Sequence, residues 1–302
     1  MFRRALRLLI AGLTAAPAWA QTPDDPSPNQ PRPILSRILD GDLPQLDIPG
    51  TFKLLFRPHF GDLVRRDYMR TEAGLRWALD RHFDISGEAS VYFNHGLGDT
   101  DEGYGIGRAR LGSRYLLEGW PRAGYDTSLA LTMEAPVGDP PVDMTDGQYH
   151  LTPSFIIQRP SVRHPKLTAF AGLGLDLIDP SDIPGQFGTN QPHEDSMNGT
   201  IGAIYDLGQL KYVVSATYAT TAMLGNNPEH FLYLQPSVQW YVPRKFTFKS
   251  KTQWIVGLGV RTSWGPDGTD FSVRNRIRAE ITFRQLLRQI RDLNKPSGPA
   301  AP

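Results

Sequence analysis

From Thr51 to Phe283 apolar and polar residues alternate with a period of two, interrupted by stretches rich in glycine, proline and aspartate. In the last segment, FSVRNRIRAEITF, Phe271, Val273, Ile277, Ala279, Ile281 and Phe283 share one parity, broken only by Asn275. Ser272, Arg274, Arg276, Arg278, Glu280 and Thr282 share the other. Successive side chains of a strand point to opposite faces, so this alternation predicts strands with one apolar and one charged face. The same rule sets Phe52, Leu54 and Phe56 against Lys53 and Arg57, and Ala73, Leu75 and Trp77 against Arg70, Glu72 and Arg76. It sets Ile85, Ala89 and Val91 against Asp84, Ser86 and Glu88, and Ala109, Leu111 and Tyr115 against Arg108, Arg110 and Arg114. Later segments are less charged but keep the parity: Leu129, Leu131 and Met133 oppose Ser128, Thr132 and Glu134. Leu173, Leu175 and Leu177 oppose Gly172, Gly174 and Asp176, and Trp254, Val256 and Leu258 oppose Gly257, Gly259 and Arg261. Twelve such segments are counted, and their polar face is too charged for a dry core.

Two arrangements suit such strands: a soluble sandwich, or a barrel whose apolar face meets lipid and whose charged face lines a wet lumen. The connections decide between them. With the amino end on the periplasmic side, residues 95–105, 137–148, 179–196 and 220–230 form long outward connections. Inward ones such as 80–82 and 207–210 are tight, and two outward ones, 61–66 and 265–270, are short as well. Long loops outside, short turns inside and an even strand count are features of outer-membrane barrels. Phe56, Phe60, Trp77, Phe93, Tyr115, Tyr218, Trp240, Trp254, Phe271 and Phe283 all have the outward parity, and many fall near segment ends, where headgroups suit aromatic rings. The expectation is an all-β, closed antiparallel transmembrane barrel of about twelve strands over residues 50–283. Lipid offers no partner to a free N–H or C=O, so the sheet must close.

The ends change the picture little. Residues 1–20, MFRRALRLLIAGLTAAPAWA, have the basic, apolar and small-residue regions of a signal peptide, and the apolar run is shorter than the ~20 residues of a spanning helix. Residues 21–49 begin as a disordered proline-rich tether, followed by one short helix from Ile34 to Leu39. Residues 284–302 read as a periplasmic helix and tail, with Leu286, Leu287, Ile290 and Leu293 opposite Arg284, Arg288 and Arg291.

The whole chain of 302 residues has 32 basic and 31 acidic residues; without the leader's Arg3, Arg4 and Arg7 these become 29 and 31. A near-neutral chain argues against a nucleic-acid partner. Cysteine is absent, which excludes disulfides, thiolate metal sites and cysteine nucleophiles.

Candidate chemistry centres on the charged face. Arg57, on the first strand, is expected beside Arg274, Arg276 and Arg278 on the last after closure, with Arg261 beyond. Arg70, Arg76, Arg108 and Arg110 face the same interior as Glu72, Glu88, Glu134, Asp176 and Glu280. An arginine-rich wall predicts a constriction that orients polar solutes or prefers anions. Alternation of acids and bases between neighbouring strands predicts instead ion pairs that stiffen the wall. Outer-membrane acyl hydrolases carry a histidine and a serine two residues apart near a strand end; here His95 is followed by Leu97, so no hydroxyl is available to activate. Asp99, Asp101 and Glu102, and Asp179, Asp182, His193, Glu194 and Asp195, form acidic loops without the spacing of a defined metal site. No cofactor motif is present.

At the end of the fifth segment, Thr132-Met133-Glu134-Ala135-Pro136-Val137-Gly138-Asp139 resembles the meta-pathway phenol-degradation-like family of outer-membrane barrels, described as transporters, in which a strand ends in Pro-x-Gly-Asp before an outer loop. The resemblance implies a barrel of the cell outer membrane that passes small, aromatic or apolar compounds. Outer-membrane lipid and the barrel-assembly machinery are its expected partners, and a non-conducting structural barrel is the alternative.

Overall fold

The structure, a computed structural model, describes residues 49–60, 62, 68–94, 103–141, 144–186, 192–222, 228–247 and 252–293. The expected leader, tether and first helix, as well as His95, Leu97, the acidic loop at 99–102 and the tail from 294, lie outside these residues.

The alternation is realised as twelve strands. The first six are β1 (Thr51–Pro58), β2 (Tyr68–Ala78), β3 (Phe83–Asn94), β4 (Tyr104–Glu118), β5 (Asp126–Pro136) and β6 (Gln148–Pro160). They are followed by β7 (Leu167–Pro180), β8 (Ser196–Asp206), β9 (Leu210–Thr220), β10 (His230–Tyr241), β11 (Gln253–Gly265) and β12 (Gly268–Thr282). Each pairs antiparallel with its neighbours in sequence, and β1 pairs with β12, so the sheet is a closed barrel. The seam runs from Thr51 opposite Thr282 to Phe56 opposite Ile277. Closure removes both edges, so the ladder satisfies its own backbone groups, as a sheet in hydrocarbon requires.

Parity holds almost throughout, with one instructive break. Ser90 pairs with Arg108 but Val91 pairs with Ile106, a one-residue slip that leaves Gly107 as the extra residue of a bulge. Strict alternation from Arg108 would turn Ile106 and Tyr104 inward; the bulge keeps both on the outer, exposed face.

The exterior is an apolar belt: Leu54, Leu75, Ile85, Leu111, Leu173, Ile201, Val214, Leu258 and Val273 are all exposed. At the end of the barrel where β1 begins and β12 finishes, the termini end of the strands, Phe52, Trp77, Trp120, Tyr205, Tyr212, Trp240 and Trp254 form one aromatic ring, with Phe52 stacked on Trp77 at 5.5 Å. At the other end Phe56, Phe60, Phe93, Tyr104, Tyr149, Tyr218, Trp264 and Phe271 form a second. Two aromatic girdles flanking an apolar band match the two interfaces of a bilayer. The fold is therefore that of a transmembrane β-barrel. No described helix is long and apolar enough to cross a membrane; the strands do so.

Connections at the termini end are short at residues 79–82 and 207–209, as expected. The link between β10 and β11, residues 242–252, is longer and contains a 3-10 turn at Arg244–Phe246, where Phe246 packs against Trp240 at 6.1 Å. At the opposite end residues 137–147 and 181–195 are long, while β11 and β12 run closer together than the sequence suggested, meeting in a turn at residues 266–267. Immediately after β12 the chain enters a helix, α1 (Phe283–Leu293). Thr282 and Gln285 cap its start reciprocally: the Gln285 amide donates to Thr282 Oγ1 at 3.3 Å and the Thr282 amide to Gln285 Oε1 at 3.2 Å.

Candidate functional site: the barrel lumen

The fourteen predicted lumen residues all fall on the inward parity, and the register decides which of them meet. Arg57 lies opposite Glu72, Glu72 opposite Ser90, and Ser90 opposite Arg108. One row away, Glu88 lies opposite Arg110 and Arg110 opposite Glu134. The side chains use this checkerboard. Arg57 Nη1 lies 2.5 Å from Glu72 Oε2, and Arg108 Nη2 donates to Glu72 Oε1 at 3.2 Å, passing over the small Ser90. Arg108 Nη1 lies 2.8 Å from Glu134 Oε1, Arg110 Nε donates to Glu134 Oε2 at 2.7 Å, and Arg110 Nη1 lies 3.7 Å from Glu88 Oε2. A continuous charge ladder thus crosses β1 to β5, and every acid in it answers at least one arginine. The expected wall stiffening by ion pairs is what this side of the lumen contains.

Nearer the termini end the lumen is packed rather than wet. Arg114 donates from both Nε and Nη2 to Asp84, and Arg76 Nε lies 3.7 Å from Asp84 Oδ1. Arg278 Nε lies 3.3 Å from Glu280 Oε1 across the seam from Lys53 and Leu55. Lys53, Arg76, Asp84, Arg114, Arg276, Arg278 and Glu280 are all buried, and the cavity among Lys53, Arg76, Glu88, Arg276 and Arg278 is about 20 Å³, room for one water. The seam pairing ends with Leu55 opposite Arg278 and Phe56 opposite Ile277, so Arg57 follows at the level of Arg276, while its side chain pairs with Glu72. Arg274 faces Gly259 and Arg276 faces Gly257, while Arg261 stacks its guanidinium 4.1 Å over the Tyr233 ring.

The opposite wall keeps polar residues such as Thr200, Lys211 and Ser215 on its inward face but also carries an apolar cluster that the alternation did not predict. Phe170, Ile204 and Val213 form a buried cluster on the inward face of β7, β8 and β9, with Ile156 against it. Gly202 makes this possible: a Cβ there would stand 2.3 Å from Phe170 Cζ and 2.5 Å from the Val214 carbonyl. Gly172 and Gly174 make room for neighbours too, for Ile156 and Asn198 respectively.

At the mouth opposite the termini end two long connections fold inward. Met144 is buried against Tyr68 and Tyr92, and the Gln186 amide donates to the Thr145 carbonyl at 2.9 Å, joining residues 137–147 to residues 181–195. The two approach backbone to backbone at Gly147, whose φ of +76° and whose space, taken up by the Ile183 carbonyl, leave no place for a side chain. His150 ties this layer to the wall: its Nε2 lies 2.9 Å from Asp146 Oδ2 and its Nδ1 3.0 Å from Asp176 Oδ1, where Thr152 also donates at 3.2 Å. Below the folded loops lies a cavity of about 200 Å³ bounded by His59, Arg70, Glu72, Ser90, Arg108, Thr145, Asp146 and Gln186.

Arg70 marks its rim, forking onto Asp62 through Nε and Nη2, each at 2.8 Å. Burial pulls the Asp62 carboxyl up, but hydrogen bonds from the Arg70 side chain and amide, with its charge, hold it below the usual range. Burial also keeps His59 below the ordinary histidine value, with Glu72 pulling against it.

Parity could have located Arg114, Asp84 and Lys53 as partners of the predicted set. Nothing in the alternation announces Met144, Asp146 or Gln186, which reach the lumen from loops. Of the candidate group Asp179, Asp182, His193, Glu194 and Asp195, Asp179 lies on β7 opposite Tyr149 and Asp195 Oδ1 accepts the Ile178 amide at 2.7 Å; among the described residues no group of three or more could hold a metal ion.

A charged and hydrogen-bonding lumen inside an apolar exterior defines the class as an outer-membrane-type barrel. No protein-family model matches the chain, and no curated protein does. Among solved structures, an outer-membrane channel from Pseudomonas putida F1 superposes with a TM-score of 0.54 at 12% identity, covering 82% of this chain and 100% of that one. The KdgM porin in complex with disordered oligogalacturonate aligns at a TM-score of 0.42 and 8% identity over 77% of this chain and 99% of its own. The β domain of the Bordetella autotransporter BrkA aligns at 0.41 and 14% over 78% and 100%. The likeness to the Pseudomonas channel is one of fold, and it spans the whole of that barrel.

Proposed function

We propose that this chain is an outer-membrane channel that gives small molecules a narrow route through the barrel. The observation that carries the reading is the polar cavity of about 200 Å³ at the outer mouth, floored by the Arg57–Glu72–Arg108–Glu134 ladder. Groups with this much hydrogen-bonding capacity suit a solute that must shed water on entry. The pore lining is then Arg57, Arg70, Glu72, Arg76, Glu88, Arg108, Arg110, Glu134, Asp176, Arg261, Arg274, Arg276, Arg278 and Glu280. Residues 1–20 act as the export leader and residues 50–283 as the membrane unit, recognised by the assembly machinery through its terminal aromatic, Phe283. The Pro136-Val137-Gly138-Asp139 turn supports kinship with the meta-pathway phenol-degradation-like barrels and with it small aromatic or apolar solutes; the lumen cluster of Phe170, Ile204 and Val213 offers such solutes a surface. No enzymatic role is assigned, since Leu97 stands where a hydrolase needs its serine.

One observation favours a second reading, a non-conducting barrel. The layer of Lys53, Arg76, Asp84, Arg114, Arg276, Arg278 and Glu280 is buried within the lumen. Planar-bilayer recording separates the two. Protein that migrates heat-dependently in detergent gels should show discrete conductance steps, altered when Arg274, Arg276 and Arg278 become glutamine; folded protein that never conducts would establish the structural role.

A further inference from the structure

Helix α1 has features that the barrel does not use. Phe283, Leu287 and Ile290 recur at i, i+4 and i+7, one face of a helix, and are 47%, 48% and 46% exposed. Arg284, Arg288 and Arg291 recur at the same spacing on the adjoining flank and are exposed as well. Eleven residues make a helix that is marginal in water unless its apolar face is covered. Its first turn carries Arg284 and no acid, against the preference of a helix amino end for negative charge. Neither the apolar face nor the arginine placement is explained by the protein alone.

The position of the helix says what covers it. Phe283 continues the outward parity of Ala279 and Ile281, and its ring lies 5.8 Å from Phe52, which stacks on Trp77. These rings belong to the girdle at the termini end, where the hydrocarbon gives way to headgroups. The helix therefore starts on the outside of the barrel at headgroup depth, with Phe283, the first residue of its apolar face, packed against the girdle. We infer that α1 lies along the phospholipid surface of the periplasmic leaflet, with Phe283, Leu287 and Ile290 in the acyl boundary and Arg284, Arg288 and Arg291 on lipid phosphates. An apolar face flanked by arginines is the pattern of a helix lying in the interface plane. The capping box of Thr282 and Gln285 fixes where the strand stops and the helix turns into that plane. The inference rests on the barrel standing in a membrane and is independent of whether its lumen conducts.

The cysteine-free chain allows a direct test. Full-length Ile290→Cys and Arg288→Cys proteins, each labelled with an environment-sensitive fluorophore, are folded into vesicles of phosphatidylcholine with and without phosphatidylglycerol. The label at 290 should be quenched by a nitroxide carried on lipid and shielded severalfold from aqueous iodide relative to the label at 288. Changing Arg284, Arg288 and Arg291 to glutamine in the Ile290→Cys protein should weaken the preference for phosphatidylglycerol vesicles by roughly fivefold per arginine. Equal access of iodide to both labels overturns the inference, as does a label at 290 hidden from iodide and lipid quencher alike, which means docking on protein. Heat-dependent gel migration of the same samples reads insertion separately: inserted barrels with a solvated helix refute only this inference, whereas barrels that never insert refute the channel as well.

Discussion

Along β1 to β5 the inward face carries Arg57, Glu72, Glu88, Arg108, Arg110 and Glu134, whereas along β7 to β9 it carries Phe170, Gly172, Gly174, Thr200, Ile204 and Val213. The outward faces of the two arcs are alike, since both must satisfy the same hydrocarbon. Inside, one arc is held by charge pairs that span two or three strands, and the other mainly by side-chain volume, with Lys211 and Asp206 paired at 2.9 Å beside the turn from β8 to β9. A lumen wall of this kind tolerates either solution because each closes its own account locally: a carboxylate beside two guanidiniums, or a glycine beside a ring. What distinguishes them is the consequence of removing one member.

The largest effect is expected on the charged arc. Glu134 serves both Arg108 and Arg110, so Glu134→Gln leaves two guanidiniums short of one carboxylate and should cost about 3–5 kcal/mol, the range for breaking a buried pair. Urea denaturation in detergent followed by tryptophan fluorescence measures it, and a cost near zero would show the ladder to be surface-like. On the apolar arc, Ile204→Ala should cost about 2–5 kcal/mol through lost transfer energy and the cavity left beside Phe170 and Val213. The same variant should widen that side of the lumen and raise conductance, whereas Glu134→Gln should change conductance by altering charge.

The rim of the charged arc should respond to acid. Asp62, held below the usual carboxylate range, contributes stability that is complete above that range and lost as pH falls through its folded value. His59, held low by burial, binds its proton more weakly folded than unfolded, so the folded state weakens as pH drops below about 6.5. Both effects have one sign: the heat-migration midpoint should fall on acidification. His59→Gln should remove the part of the fall that begins near neutrality, and Asp62→Asn the part at lower pH, while itself costing about 1.5–3 kcal/mol for the lost bonds to Arg70. A midpoint flat with pH would remove these groups from the stability of the mouth. The smallest effect belongs to the quiet arc, where Thr200 and Thr217 share one hydrogen bond of 2.8 Å; Thr200→Val should cost about 0.5–1.5 kcal/mol and leave the pH profile unchanged.

Most of the barrel was legible because a closed sheet in lipid imposes one rule on every strand. Apolar Leu173 or Val256 must face out whatever lies across from it, so strand number, parity and the charged face follow from local pattern. The one-residue slip opposite Ser90 escaped, since alternation across Gly107 looks like the end of a strand rather than a bulge within it. Closure put β12 beside β1 and brought Arg57 to the level of Arg276 as expected, but the side chain of Arg57 pairs across the other neighbour, with Glu72 on β2.

Period-two alternation therefore determined which residues face lipid and which face the lumen, because that choice is a one-dimensional property of each strand. Which lumen residues meet was decided only in three dimensions. The Glu72–Arg108 contact needs three strands in one register and a serine between them, and Met144 and Gln186 enter the mouth from loops that obey no periodicity. Side chains that reach across strands depend on stagger, and loops on where their ends are held; neither quantity is written in the order of apolar and polar residues.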